Sequence, residues 1–121
     1  MNFRSSKPIG TVVQQHVVTC PPELSLAAAS KLMREHACSS IVVVENNRPV
    51  GIWTEGDTLK LDYSGGNELS RPIRELMSTP LKTIDRTLSL DEAGHEFKRH
   101  GIRHLLVLND QGELYGILSQ S

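Results

Sequence analysis

The chain repeats itself. Sliding the sequence along itself by 64 positions aligns Pro8 with Pro72, Ile9 with Ile73, Thr19 with Thr83 and Leu24-Ser25-Leu26 with Leu88-Ser89-Leu90. Ala29 then falls on Ala93, His36 on His100 and Val43 on Val107, which makes nine identities in the 40 positions 8–47. One inserted residue moves the offset to 65, after which Gly51-Ile52 meets Gly116-Ile117 and Thr54 meets Ser119. A period of this length makes each copy one supersecondary unit. A unit of roughly 55 residues buries too little surface to be stable alone, so the two copies are expected to fold against each other.

Each copy carries the pattern β-α-β-β-α behind a short opening segment. Pro8–Val13 and Pro72–Met77 read as openings of one or two helical turns. Val17–Cys20 and Leu81–Ile84 read as brief strands. Helices begin at Ser25 and Ser89, and Ser89-Leu90-Asp91-Glu92 is a capping box, in which serine and glutamate each satisfy a backbone N–H. Leu26, Ala29 and Met33, like Leu90, Ala93 and Phe97, recur at i, i+3 and i+7 and mark one buried stripe. Apolar strands follow at Ile41–Val44 and Leu105–Leu108, then polar turns at Glu45–Arg48 and Asn109–Gly112. Third strands at Val50–Trp53 and Tyr115–Leu118 come next, and a second helix runs from Glu55 to about Asp62. Tyr63–Glu68 reads as a flexible link. The expected fold is α/β, of the α+β type: two three-stranded sheets with helices packed on them, related by pseudo-twofold symmetry. Residues 1–66 form the first repeat with its linker. Residues 67–121 form the second, which stops before its last helix.

Composition narrows the function. A formal charge of −1 gives no electrostatic footprint for nucleic acid or a membrane surface. The longest aliphatic run, Ile41–Val44, is far too short to span a bilayer, and no secretory signal is visible after Met1. Cys20 and Cys38 have neither zinc nor redox spacing and read as reduced, half-buried hydrophobes. The expected location is the cytoplasm. No Ser-His-Asp order, Gly-rich phosphate loop or HExxH motif is present, and no metal site is expected. His95 and His100 point to different sides of one helix, while Asp85, Asp91 and Glu92 read as turn and cap residues. The chain is therefore read as a module that binds and senses, not as an enzyme.

The sharpest local signal is Gly51-Ile52-Trp53-Thr54-Glu55-Gly56-Asp57, a strand running straight into a helix. Thr54 stands at the N-cap position, with Asp57 on the first turn. A helix start presents free N–H groups that suit a phosphate. A carboxylate there can accept two hydrogen bonds from a ribose diol, and Gly51 lets another backbone or a ligand approach. The same spacing also serves an ordinary helix cap worth about 1 kcal/mol. Recurrence of the pattern at Gly116-Ile117-Leu118-Ser119 favours a site.

The repeat and this motif together resemble the cystathionine-β-synthase (CBS) domain family, whose domains pair as Bateman modules. The resemblance rests on Pro22-x-x-Ser25-Leu26-x-x-Ala29-x-x-x-Met33, then Ser40–Val44, then Gly51-Ile52-x-Thr54-x-x-Asp57, in this order and twice over. It implies two clefts that take adenosine compounds (AMP, ADP, ATP or S-adenosylmethionine) as regulatory ligands, with no required cofactor. One cleft would use Gly51, Ile52, Thr54 and Asp57 with the basic Arg103 and His104. The other would use Ser119 with Thr11, Ser39, Ser40 and Ile41, its aspartate falling beyond Ser121. Copy two departs from the family pattern at Arg86, where copy one has the usual proline, Pro22. The resemblance further implies a homodimer through the helices. It also implies an output domain beyond Ser121, of the diguanylate cyclase or sensor kinase kind. The rival reading is a ligand-free dimerisation scaffold in which Thr54 and Asp57 only cap a helix.

Overall fold

The computed structural model describes residues 17–79, 82–101 and 104–119. They divide into two compact units, one within Val17–Leu81 and one within Lys82–Ser121. The openings of the first copy, Pro8–Val13, lie outside the described residues.

The first unit runs β1 (Thr19–Cys20), α1 (Leu26–Glu35), β2 (Ser40–Glu45), β3 (Arg48–Thr54) and α2 (Glu55–Lys60). Its sheet has the order β1-β2-β3, with β1 parallel to β2 and β3 antiparallel to it. The second unit repeats the plan with β4 (Thr83–Asp85), α3 (Leu90–His100), β5 (His104–Leu108) and β6 (Leu114–Ser119). This is the mixed α+β architecture that the sequence period implies.

Local chemistry explains the element ends. Ser25 Oγ accepts the Ala28 N–H at 3.2 Å and starts α1. At α3 the full capping box forms: Ser89 Oγ accepts the Glu92 N–H at 3.1 Å, and Glu92 Oε1 accepts the Ser89 N–H at 3.3 Å. Gly101 ends α3 at φ 58°, a left-handed conformation that glycine adopts without a Cβ clash. β1 is one residue shorter than β4 because Pro21 and Pro22 have no N–H to donate. At the position matching Pro22, Arg86 donates its N–H to the Leu108 carbonyl at 3.0 Å and lengthens the strand pairing.

The hairpins account for the shift in the repeat offset. In the first unit Glu45 pairs with Arg48 across Asn46 and Asn47, at φ 54° and 65°. Positive φ at both positions of a two-residue loop is the geometry that matches strand twist. In the second unit the Asn109 N–H reaches the Glu113 carbonyl at 2.9 Å across three residues, and Gly112 takes φ 77°. One extra loop residue turns 64 into 65. A bulge after Val43 and another after Val107 restore the same phase in both sheets.

Each unit has its own core. In the first, Leu26, Ala29 and Met33 of α1 meet Ile41 and Val43 of β2, Trp53 of β3 and Cys20 of β1. In the second, Leu90, Ala93 and Phe97 meet Leu105, Val107 and Leu118. The bulk is exchanged between layers. Met33 on the helix faces a sheet that carries Trp53, whereas Phe97 on the helix faces Leu118. Such opposite changes in size on facing layers are tolerated when patterning is kept. Val42, which alternation turns to the other face of β2, is also fully buried.

The segment that opens the second copy packs inside the first unit. Its short helical turn, Ile73–Glu75, sends Ile73 fully into the first core. The Ile73 N–H donates to the Leu24 carbonyl at 2.8 Å, and the Leu26 N–H donates to the Arg71 carbonyl at 2.9 Å. Ser78 exchanges two backbone hydrogen bonds with Ile52, at 2.9 and 3.3 Å, along the free edge of β3. Arg74 bridges Glu23 at 2.7 Å and Glu45 at 2.6 Å.

Candidate ligand site

The end of β3 and the start of α2 hold the strand-to-helix motif. Thr54 has extended backbone, and both its N–H and its hydroxyl donate to Asp57 Oδ2 at 3.0 Å. The Asp57 N–H returns a hydrogen bond to Thr54 Oγ1 at 3.2 Å. This is a complete capping box, so the capping geometry is present. Asp57 is half-buried, and its Oδ1 takes none of these bonds. One carboxylate oxygen thus fixes the helix start while the other keeps acceptor capacity.

Strand pairing brings Ser39 and Ser40, expected in the other cleft, to this end of the sheet. Ser40 pairs with Thr54 across β2 and β3, and the Ser39 carbonyl accepts the Glu55 N–H at 3.0 Å. Ser39, Ser40, Thr54 and Asp57 therefore gather at one end of the first sheet. Ile41 is fully buried in the core and pairs with Trp53, so it can offer a ligand only its main chain. Ile52 lies between Val42 and Ser78 in the sheet. At Gly51 the missing Cβ makes room for a side chain of the chain itself, since a Cβ there would overlap Met77 Sδ. In the second unit His104 pairs with Ser119, repeating the relation of Ser40 to Thr54. Thr11, Arg103 and the Ser119 side chain lie outside the described residues.

Sequence reading missed what holds α2 in place. The Trp53 indole N–H donates to Thr58 Oγ1 at 2.9 Å, and the Thr58 hydroxyl donates to the Thr54 carbonyl at 3.3 Å. The Tyr63 hydroxyl donates to the Thr58 carbonyl at 2.9 Å. A signal existed: a tryptophan buried at the end of a strand needs a partner for its N–H, and Thr58 is the hydroxyl one helical turn beyond Thr54. A cleft of about 520 Å³ lies between α1 and α2, with Arg34, Cys38, Ser39, Thr58 and Leu59 in its walls.

Several other polar side chains form ion pairs. Glu96 lies 3.5 Å from Lys82 and 3.1 Å from His100, and Asp91 lies 3.9 Å from His95. Among the described residues no group of three or more potential ligands could hold a metal ion. Among them, too, no helix is long and apolar enough to cross a membrane. Cys20 is fully buried rather than half-buried, and burial pushes its thiol up to about 11. A thiol so rarely ionised is a core residue, not a nucleophile. Cys38 is half-buried, as expected.

Comparison with known proteins agrees with this architecture. The CBS domain pattern matches residues 9–63 and 73–121. An uncharacterized protein of Methanopyrus kandleri is 34% identical over 116 residues, which are 94% of this chain and 59% of that one. An inosine-5'-monophosphate dehydrogenase of Korarchaeum cryptofilum is 29% identical over 116 residues, 96% of this chain and 23% of the enzyme. Among solved structures, a CBS domain protein of Pyrobaculum aerophilum complexed with AMP superposes with a TM-score of 0.79. It is 23% identical, over 93% of this chain and 87% of that one. The chain thus spans 59% of the first relative's length and under a quarter of the dehydrogenase's.

Proposed function

The chain belongs to the CBS domain family, and on that footing we propose that it binds an adenosine-type ligand (AMP, ADP, ATP or S-adenosylmethionine) and regulates an attached signalling or enzyme domain. The observation that carries this reading is the Thr54–Asp57 pair. Asp57 Oδ2 orders the helix start, and Oδ1 is the acceptor for a ribose diol. The Thr54 hydroxyl supplies a neutral polar group of the kind that a sugar needs. Arg103 and His104 are assigned the phosphate charge. Ser119, with Thr11, Ser39, Ser40 and the Ile41 main chain, is assigned to a second cleft. The AMP held by the Pyrobaculum aerophilum protein supports the ligand class. The larger lengths of the relatives, one of them a dehydrogenase, support a controlled neighbour domain. The role is regulatory, with no catalytic residues assigned.

Melting curves test it. A ligand held at a hundredfold its dissociation constant stabilises the native state by about 2.7 kcal/mol, several degrees for a domain of this size. The shift should appear with at least one of the four compounds and vanish in Asp57→Ala. If none of them raises the melting temperature, the ligand reading fails.

The second reading is a ligand-free dimerisation scaffold that self-associates through the helices. Its support is the exposed Leu59, 85% accessible, at the rim of the α1–α2 cleft, on a helix that buries no side chain of its own. Light scattering at high micromolar concentration should give a dimer, lost in Leu59→Glu.

A further inference from the structure

Helix α2 is six residues long, and none of its side chains is buried. A helix this short has no independent stability in water. Its position over the sheet therefore depends on a few polar links and on Leu61, which packs on the first core just after the helix ends. Two of those links are the capping box at Thr54 and the Glu55 N–H bond to the Ser39 carbonyl. The others converge on Thr58. Its hydroxyl accepts from the Trp53 indole at 2.9 Å and donates to the Thr54 carbonyl at 3.3 Å, and its carbonyl accepts from Tyr63 at 2.9 Å.

Trp53 is 3% exposed and set in the first core, so its N–H is a rigid anchor in the sheet. We propose that Thr58 is a positioning residue: it ties α2 to the buried Trp53 and thereby holds the Asp57 carboxylate in the orientation in which Oδ1 can receive a ligand. The inference rests on the ligand reading given above and adds the residue that tunes it. Thr58 also lines the α1–α2 cleft together with Ser39 and Leu59. Trp53 is the single tryptophan of the chain, so its indole N–H signal is assigned without ambiguity.

The test compares Thr58→Val, which keeps the shape and loses the hydroxyl, with Thr58→Ser, which restores it. In Thr58→Val the Trp53 indole resonance should move, and the amides of α2 should exchange about tenfold faster, the size of one lost hydrogen bond. Amides of α1 and β2 should keep their protection. AMP should bind about tenfold more weakly on the same grounds, and Thr58→Ser should recover all three readouts. Unchanged α2 exchange and an unmoved indole resonance in Thr58→Val would overturn the proposal, as would a serine variant that behaves like valine. If the wild-type chain binds none of AMP, ADP, ATP and S-adenosylmethionine, the ligand reading fails by itself, and the exchange and indole measurements still decide the role of Thr58.

Discussion

Met77 lies against the bare Cα of Gly51, in the space that a Cβ would fill. The glycine of the strand-to-helix motif thus serves the packing of the chain's own opening segment. Gly51→Ala should force the Met77 side chain aside and cost about 1–3 kcal/mol, the usual cost of overpacking. The double variant Gly51→Ala with Met77→Ala should recover part of that loss. Urea denaturation of the four proteins measures the coupling, and additive losses would show that the two residues do not meet.

Ile73 belongs to the second copy by sequence and to the first core by packing. Ile73→Ala should cost about 2–5 kcal/mol, as for other fully buried aliphatic residues. The loss should appear first in the first unit: amides of α1 and β2 should lose protection against hydrogen exchange before those of α3 and β5. Equal loss in both units would contradict the assignment.

The two cysteines should differ in reactivity. In the native protein Cys38 should react with a thiol reagent and Cys20 only on unfolding. The Cys20 thiol is raised from 9.0 to about 11 in the folded chain. The folded state therefore holds its proton more tightly, so this contribution to stability is complete below pH 9.0 and is lost as the pH rises towards about 11. Cys20→Ala should flatten the fall in stability across that alkaline window.

Asp85 should act at the acid end. Hydrogen bonds from the Thr87 hydroxyl and N–H hold its carboxyl below 3.8. Stability from this turn is therefore present above about 3.8 and is lost as the pH falls below it. Carboxyl titration by NMR checks the direction, and a value above 3.8 would contradict the turn geometry.

Two capping boxes in one chain provide an internal control. Asp57→Ala and Glu92→Ala each remove the acidic half of a box, and each should cost the empty fold about 1 kcal/mol. Only Asp57→Ala should also remove a ligand-induced melting shift. If both variants keep the shift, the Asp57 carboxylate is a cap and nothing more.

The sequence by itself determined the elements and their order. Leu26, Ala29 and Met33 recur at helical spacing, Ile41–Val44 is a continuous apolar run, and Ser89 and Glu92 are a reciprocal cap. Each of these patterns is local, and local backbone chemistry decides it. Half of the candidate site was legible for the same reason, because Thr54 and Asp57 are three residues apart on one turn. Only the tertiary structure decided that Pro72–Met77 completes the first core, that Met77 fills the space over Gly51, and that Thr58 meets the indole of Trp53. The first two join residues far apart in the chain, and the third depends on how α2 folds back on the sheet. Periodicity carries no information about such meetings, because burial selects them by shape and by the need of a buried N–H for a partner.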